Sequence, residues 1–483
     1  MDRPVAAVTG LAPAPAAKLE PDAIGVAQDT IIGMASSAPA ATMAVTMAGL
    51  AAAAAYGGGP VILLCGVPML IIANSYRRLN LWNANCGASF EWVGRAINPY
   101  LGFMTGWLML AGYIVGTISV VVVLSPAVLA VFNASVSSAW PNIGISTALI
   151  IVMLIIAVIG IRITARTQVA MAVFEYIVLI GVSIWGLVYV LGHHAGTYPI
   201  TRGWFSLSGI DGKGSLAAGL LIAVFMYSGW DATIYVNEEV RHRRVNPGRA
   251  AVFAVVILIV LYILPQVGLQ GVASPAKLQA NASSALIFVT QVLGGGGWAK
   301  VMAFALVLSV IASTGTGIVA SSRIAYGMAS HRVLPPVFGQ ISGRYNTPAI
   351  GSIIIAVILI AATWAELLST SIANVFTDVV DVTGLLFALF YMLTACAAIV
   401  YYRRRVFSNV WDSLLVGILP LASVVFLGWV VVKSLQGAPN AQRYALIGIV
   451  VAGLLMMFVA RFALRSQFFH LPRESAPRET VAA

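Results

Sequence analysis

The chain has 483 residues, of which 60% are hydrophobic and 9% are charged, and its formal net charge is +11. A soluble globular domain carries about 25% charged residues, so this composition excludes that class and predicts a polytopic membrane protein. The basic residues lie in short loops between apolar runs and not along one face, which argues against nucleic acid as a partner. The three cysteines are scattered and provide neither a disulfide framework nor a metal-ligand spacing.

Apolar runs bounded by glycine, proline and charge predict twelve transmembrane helices. Residues 1–23 precede them; they are rich in Ala and Pro, lack the apolar core of a signal peptide and are expected to form a cytoplasmic tail. The predicted spans are 24–51, 58–76, 98–132, 142–161, 167–191, 215–240, 249–271, 298–330, 347–364, 370–400, 410–433 and 443–464.

The basic residues also set the predicted orientation. If both termini are cytoplasmic, 21 of the 27 Lys and Arg residues fall on the cytoplasmic side and six fall on the other. Positive charge is retained on the cytoplasmic side of membrane proteins. We therefore expect a multi-pass protein of the bacterial inner membrane with both termini inside, and an odd number of helices would scramble this pattern.

Two of the predicted spans contain an interruption. Span one includes IIGMASSAPA (31–40), and span six includes FMYSGWD (225–231). In lipid an unsatisfied backbone group costs several kcal/mol, so a real break faces protein, water or ligand. Breaks in the first and sixth spans predict two inverted repeats, 24–191 and 215–400, with the transport site between them. Two more helices (410–464) and a cytoplasmic tail (465–483) complete the predicted chain.

A broken helix can bind charge without a charged side chain. The start of one half presents N–H groups that attract a carboxylate, and the end of the other half presents carbonyls that attract an ammonium group. Two facing breaks could therefore hold the zwitterion of an α-amino acid largely by backbone. The alternative is that Gly33 and Gly229 only permit tight helix packing.

Three further stretches resemble a known family. NCGASFEWVGRAINPYLGFMTGW (85–107) is similar to its Gly-Gly-x-Tyr stretch running into Gly-Phe-x-x-Gly-Trp. YSGWDATIYVNEEV (227–240) is followed by NPGRA (246–250), and SSRIAYGMASHRVLPPVF (321–338) is similar to its Ser-Arg…Leu-Pro signature. In order and spacing, these stretches resemble the amino acid/polyamine/organocation (APC) transporter family over spans one to ten.

The resemblance implies an all-α membrane fold with a LeuT-like 5+5 inverted repeat, in which helices one and six are broken, and transport by alternating access. It also implies substrate-binding positions at Gly33, Ala35, Ser36 and Ser37 for the carboxylate, and at Phe225, Tyr227, Ser228 and Gly229 for the amine, with Phe225 as an aromatic gate. The family usually has Gly-Ser-Gly followed by Ile-Phe in helix one. This chain has Gly-Met-Ala followed by two serines, whose hydroxyls could contact the substrate instead.

Acidic side chains inside the predicted spans cost at least about 2.5–3.5 kcal/mol on insertion scales and are therefore functional candidates. Glu175 follows Gly160 by fifteen residues, where similar proton-coupled relatives have a lysine, and Asp231 follows Gly229 by two, where some relatives have a glutamate. Either is expected to couple transport to protons, or to sodium together with Ser313 and Thr314. The alternative for both is a structural hydrogen bond.

Four more acids have predicted surroundings. Asp378 and Asp381 lie three residues apart on one helix face and are expected to line a solvated pore. The alternative is that they lie in water near the outer end of the helix. Glu238 and Glu239 precede Arg241, Arg243 and Arg244, so we expect them to pair with these arginines at the cytoplasmic rim.

Together these features predict a permease that moves an amino acid by alternating access and is coupled to protons. A cationic amino acid or an organic amine is the alternative substrate, because inward acids suit a second positive charge; a non-transporting receptor on the same fold is a further alternative. The expected partners are the substrate, H⁺ or Na⁺, and the lipid bilayer. The sequence contains no nucleophile–base arrangement that would predict an enzyme. No cofactor or metal site is expected, because the adjacent His193 and His194 have no further Cys or His at metal-ligand spacing.

Overall fold

The structure is a computed structural model that describes residues 18–132, 139–192, 194, 196–210, 215–369 and 372–476. Residues 1–17 and His193 lie outside this part. Within it the secondary structure is helical apart from an isolated β-bridge between Ile24 and Val240. Apolar runs favour helices in a membrane because a helix pairs its interior backbone groups within one segment.

The first half of the chain forms eight helices. They are α1 (Val26–Ser37), α2 (Pro39–Ala54), α3 (Gly58–Trp82), α4 (Ser89–Ala96), α5 (Pro99–Val121), α6 (Leu124–Val131), α7 (Ala139–Ile159) and α8 (Ile161–Leu191). Proline at the first helical positions of α2, α5 and α11 (Asn246–Leu269) fits these starts, since a helix's first N–H groups have no partner within the helix.

The second half adds ten more helices, of which α11 is the third. The others are α9 (Leu216–Met226), α10 (Ala232–Tyr235), α12 (Pro275–Ala280), α13 (Ala285–Ser330), α14 (Ala349–Ser369), α15 (Ile372–Tyr402), α16 (Val410–Asp412), α17 (Leu419–Gly437) and α18 (Asn440–Phe458). A π-helical turn, Ser413–Ile418, joins α16 to α17.

Eleven helical segments of the described chain are long and apolar enough to cross a membrane. The segment predicted as span six is instead divided into the 11-residue α9 and the four-residue α10. Twelve crossings therefore remain a prediction, reached when α9 and α10 are counted together.

Two predicted helix starts are wrong by several residues. The eighth predicted span begins at residue 298, but α13 begins at Ala285 and continues through the glycine run with a kink at Gly295, where φ is 77°. The fifth predicted span begins at residue 167, but α8 begins at Ile161. Arg162 in its first turn is half exposed and binds Glu20, so the charge lies on the helix and does not mark a loop.

The centre of the bundle consists of α1, α2, α9 and α10, which pack against α8, α11, α13 and α15. Glycines allow some of these helices to approach closely. A Cβ at Gly268 of α11 would lie 2.3 Å from the carbonyl oxygen of Ser183 in α8, a distance that no larger residue tolerates.

The residues after α18 pack on the protein as a segment of their own, which we call the C-terminal segment (466–476). Phe468 is buried and stacks on Phe90 of α4 with ring centroids 4.2 Å apart. Glu474 accepts a hydrogen bond from Arg95 of α4 at 2.8 Å. This part of the predicted tail is thus bound to the loop helix between α3 and α5.

Candidate functional site

Helix one is interrupted at Ala38, between α1 and α2. Ala38 has a left-handed conformation with φ of 46°, and Pro39 follows as the first residue of α2. Proline disfavours a right-handed helical conformation at the preceding residue and donates no hydrogen bond. The Ala-Pro pair therefore accounts locally for the interruption.

The N–H groups at the start of α2 bind side chains of two other helices. Ala40 donates from its backbone to Glu175 of α8 at 2.8 Å, and Ala41 donates to Ser309 of α13 at 3.3 Å. The Ser309 hydroxyl donates in turn to Glu175 at 2.8 Å. Glu175 therefore caps the start of α2, which is the structural hydrogen bond given above as the alternative to proton coupling.

The carbonyls at the end of α1 are also bound. Ser36 accepts at its carbonyl from the Ser313 hydroxyl at 3.1 Å. Ser37 accepts from Thr42 at 2.7 Å and from Tyr262 at 3.1 Å. The sequence predicts free backbone groups here, whereas protein side chains occupy them in this conformation, because serine, threonine and tyrosine hydroxyls lie within reach.

Helix six is interrupted between Met226, the last residue of α9, and Ala232, the first of α10. Ser228 donates to the Phe225 carbonyl from its N–H at 2.9 Å and from its hydroxyl at 2.6 Å. Gly229 has φ of 100°, which L side chains rarely adopt, so a glycine is required at this point of the chain.

The two interruptions touch each other. A Cβ at Gly229 would lie 2.8 Å from the Ser36 hydroxyl, and a Cβ at Gly33 would lie 2.7 Å from the Trp230 carbonyl oxygen. Both glycines thus allow close contact between helices one and six, as the packing alternative requires. Gly229 also belongs to the wall of a cavity beside this contact.

The cavity contains about 350 Å³ of empty space, its mouth included. Its wall comes from both interruptions and from α5, α13 and α15. It is made largely of small and hydroxyl-bearing residues: Ser36, Ser37, Thr42, Gly112, Gly116, Thr117, Ser228, Gly229, Ser313 and Gly317. The larger lining side chains are Tyr113, Val120, Phe225 and Phe387, and none of the described lining residues is acidic or basic.

Several predicted substrate-binding residues line this cavity, and others do not. Those that do are Ser36, Ser37, Phe225, Ser228 and Gly229. Gly33 packs on helix six, Ala35 is buried away from the lining, and the Tyr227 hydroxyl donates to the carbonyl of Ile62 at 3.2 Å. A stretch of helix presents successive residues to different neighbours, so a continuous motif cannot line one cavity throughout.

Asp231 lies behind the cavity wall and is fully buried. Its carboxylate accepts hydrogen bonds from the hydroxyls of Tyr113 at 3.0 Å, Tyr391 at 2.8 Å, and Tyr235. Tyr113 also lines the cavity and donates to the Gly229 carbonyl at 3.3 Å. A single tyrosine side chain therefore connects the acid to the cavity.

The remaining predicted polar residues lie in different surroundings. Ser313 lines the cavity, whereas Thr314 donates to the Val310 carbonyl of its own helix at 2.7 Å. Asp381 accepts from Gln442 at 3.0 Å and is not a lining residue. The side chain of Asp378 lies outside the described part of the chain.

The expected pairing of Glu238 and Glu239 with the following arginines is wrong. Glu239 binds Arg323 of α13 through two hydrogen bonds of 2.8 and 3.0 Å, and both side chains are fully buried. Glu238 instead accepts from the backbone N–H of Cys86 at 3.1 Å. The pairing is with a residue 84 positions away, which adjacency in sequence does not reveal.

A second charged group involves α4, outside the membrane spans. Glu91 binds His331 at 2.9 Å, Asn83 at 3.0 Å and Arg95 at 3.2 Å. Burial alone would raise the pKa of Glu91, but the hydrogen bond and charge of His331, with Arg95 and Asn83, outweigh it and hold the pKa below its ordinary value.

Sequence reasoning missed part of the cavity and one acid. The α5 residues Gly112, Tyr113 and Gly116 are absent from the predicted site, although two glycines four apart mark one small-residue face of a helix. Asp29 is also absent from the predicted site. It lies within the first predicted span and is fully buried in α1.

Comparisons with known proteins agree with this architecture. A D-serine/D-alanine/glycine transporter of Escherichia coli (strain K12) is 22% identical over 354 residues, covering 71% of this chain and 73% of that protein. The vacuolar cationic amino acid transporter 4 of Arabidopsis thaliana is 22% identical over 338 residues, covering 65% and 55%. Both relatives are transporters and not enzymes.

Solved structures show the fold. The Eremococcus coleocola manganese transporter matches with a TM-score of 0.60 at 13% identity, covering 91% of this chain and 95% of that one. MhsT in complex with L-phenylalanine matches with a TM-score of 0.60 at 15% identity, covering 85% and 99%. These two structural matches confirm the predicted all-α, LeuT-like fold.

The family is shown by the chain's own sequence. The profile described as amino acid permease matches residues 28–460, which include both helix interruptions and every lining residue of the cavity. The chain therefore belongs to the amino acid permease family, a family of membrane transporters.

Proposed function

We propose that this protein is a secondary transporter of a small neutral amino acid, which it moves across the inner membrane by alternating access coupled to protons. The observation that carries the proposal is the cavity between the two helix interruptions, with its small, hydroxyl-rich lining. Binding sites of LeuT-like transporters lie between such interrupted helices.

The lining favours a small substrate. Glycine or serine occupies most of the wall, while Phe225 and Phe387 limit the space with rings. The D-serine/D-alanine/glycine transporter, a relative that covers most of this chain, carries substrates of this size according to its name.

The lining supports a zwitterion over a cation. A second positive charge on the substrate would require an acid within reach. The described lining contains none, and Asp231 behind it already accepts from three tyrosine hydroxyls. The cationic amino acid or amine that the sequence leaves open as an alternative is favoured by the name of one relative, the cationic amino acid transporter 4, but not by the cavity lining.

Glu175 remains our candidate for coupling, with Asp231 beside the cavity as the second. The Glu175 carboxylate binds Ala40 and Ser309, so it connects α2, α8 and α13. A change in the protonation of Glu175 alters its hydrogen bonding to the start of α2. This helix begins directly after Ala38, the interruption that borders the cavity. A proton can thereby affect the same element that the substrate contacts.

The experiment is uptake into liposomes by the purified full-length protein. Labelled glycine, alanine and serine of both enantiomers would be compared with phenylalanine, lysine and putrescine under imposed pH or sodium gradients. We expect accumulation of a small neutral amino acid under a pH gradient, and loss of that drive with retained exchange in Glu175→Gln. Preferred uptake of lysine or putrescine would refute the substrate assignment, and no uptake of any kind would favour the receptor alternative.

A matched pair of variants tests the location of the site. Ser228→Ala changes a lining hydroxyl, whereas Ser208→Ala changes an exposed serine in the segment before α9. We expect a higher KM only for Ser228→Ala. Equal KM values in both variants would place the substrate elsewhere.

A further inference from the structure

Asp29 of α1 has a different environment from the other two acids of this core. Its side chain is 0% exposed, and neither carboxylate oxygen has a hydrogen-bond partner among the described residues. Glu175 and Asp231 each accept hydrogen bonds from two or more groups. Asp29 therefore has none of the compensation that makes their burial tolerable.

Close contacts fix α1 on both sides of Asp29. Before it, Ala23 and Ile24 donate to the Glu239 carbonyl at 2.8 and 3.2 Å. After it, Gly33 lies against the Trp230 carbonyl. Asp29 and Gly33 are four residues apart and share a helix face, so the acid lies on the side of α1 that packs towards helix six.

The ionisable side chains on the elements packed against α1 bind elsewhere or lie apart from Asp29. Those with recorded partners are Arg162 (Glu20), Glu175 (Ala40, Ser309), Tyr235 (Asp231), Tyr262 (Ser37) and Arg323 (Glu239). Arg166 and Arg249 are exposed, and Tyr176, Tyr189, Lys300 and Tyr326 form no hydrogen bond or ion pair with Asp29. No counter-charge therefore balances an ionised Asp29 within the described structure.

An ionised carboxylate with no partner in a dry protein interior is strongly unfavourable. One bound proton removes the charge and adds no bulk. A metal ion is usually held by several ligands, and within the described part of the chain Asp29 belongs to no cluster of three or more His, Cys, Asp or Glu side chains that could supply them.

We propose that Asp29 is a proton-binding site that controls the packing of α1 against the bundle. A proton on the carboxyl group stabilises the packed arrangement seen here. When α1 separates and water reaches Asp29, the O–H bond breaks, the proton passes to water, and the carboxylate remains. Proton binding and packing are linked, so a rising pH favours separation of α1 from helix six and its neighbours.

This inference rests on the proposed transport function, because separation of α1 matters only if the core opens during a transport cycle. It adds a site that differs from Glu175 and Asp231, which have hydrogen-bond partners in the packed state. The predicted orientation places the start of α1 towards the cytoplasm, so Asp29 would respond to pH on that side.

The first test uses exchange of labelled alanine or glycine by the full-length protein in liposomes, with equal pH inside and outside. For one proton, the wild-type rate is expected to change by no more than about tenfold per pH unit. Asp29→Asn has the shape of the protonated acid and cannot ionise, so in a Glu175→Gln background, which removes the proposed coupling acid, its rate should be nearly independent of pH. Asp29→Glu should restore pH dependence, and Asp22→Asn, a change at an exposed acid seven residues earlier, should leave the wild-type profile intact.

The second test does not require transport. Infrared spectroscopy of the wild-type protein, with and without ¹³C-labelled aspartate, detects the C=O stretch of a protonated aspartic acid, and Asp29→Asn assigns it. Loss of that band in Asp29→Asn at neutral pH supports the proposal. Absence of the band in the wild type overturns it, even if the variant fails to fold.

The outcomes separate the inference from the proposed function. A wild-type protein that exchanges alanine or glycine, together with an Asp29→Asn profile that keeps its pH dependence in the Glu175→Gln background, refutes the role of Asp29 and leaves the transporter intact. Sodium dependence that Asp29→Asn abolishes refutes the proton assignment in favour of a cation. If the wild type exchanges no amino acid, the proposed function fails, and the infrared band alone decides whether Asp29 binds a proton.

Discussion

Replacement of Gly229 by alanine tests whether the contact between the two interrupted helices is a structural requirement. The new Cβ would lie 2.8 Å from the Ser36 hydroxyl oxygen and 3.0 Å from the Ser36 carbonyl carbon. It would also have to exist at a φ of 100°. The change therefore combines backbone strain with steric overlap.

The two contributions can be estimated separately. A non-glycine residue in such a sparsely populated conformation costs about 1–3 kcal/mol. Overpacking of a well-filled interior costs about another 1–3 kcal/mol. Since the atom closest to the new Cβ belongs to a short side chain, and backbone lies just behind it, little of the overlap can be relieved. We therefore expect a total destabilisation of about 2–6 kcal/mol.

Gly196→Ala is the matched control, because Gly196 also has a positive φ, 88°, but nothing lies within 4 Å of the position that an added Cβ would occupy. Thermal unfolding of the detergent-purified proteins, followed by size-exclusion chromatography, gives both stabilities. Ser36→Gly removes the hydroxyl and the Cβ, so the double variant Gly229→Ala/Ser36→Gly should be less unstable than the sum of the single variants.

Equal melting temperatures for Gly229→Ala and Gly196→Ala would contradict the steric argument, since only backbone strain would then contribute. Additive effects of Gly229→Ala and Ser36→Gly would show that the two residues do not contact each other. Either result would show that helices one and six do not approach each other as closely at Gly229 and Ser36 as the structure indicates.

Three further predictions concern buried polar groups. Arg323→Met leaves Glu239 buried without its partner and should cost about 3–5 kcal/mol, measured by thermal unfolding, with partial recovery when Glu239 is also replaced by leucine. Tyr391→Phe removes one donor to Asp231 and should cost about 1.5–3 kcal/mol if that carboxylate is ionised, while the same change at an exposed tyrosine costs nothing measurable. The fold lowers the pKa of Glu91, so the contribution of its carboxylate to stability is present above about pH 4.3 and is lost as the pH falls through the lower, folded-state pKa. The difference in melting temperature between wild type and Glu91→Gln should therefore shrink in acid. A difference that stays constant with pH would contradict this.

The features that could be predicted from the sequence are local ones. Apolar runs predict membrane helices because lipid requires each segment to satisfy its own backbone. Pro39 and Gly229 act on their own stretches of chain, and the structure interrupts its helices beside both. The family resemblance added the LeuT-like arrangement, which hydropathy alone does not contain.

The features that could not be predicted depend on distant partners. Glu175 caps Ala40 from 135 positions away, and Tyr391 reaches Asp231 from 160 positions away. A sequence shows that a buried acid needs compensation but not which helix supplies it. For the same reason sequence adjacency pairs Glu239 with the neighbouring arginines, when the true partner lies on α13.

The C-terminal segment has a practical consequence for work with this protein. A tag or reporter fused directly after Arg465 would remove Phe468, which fills the space beside Gly94, and Glu474, which binds Arg95. Such a truncated protein would expose Phe90 to water and is expected to aggregate during purification. Expression designs should therefore carry their fusions beyond Ala476 or on the N-terminal side.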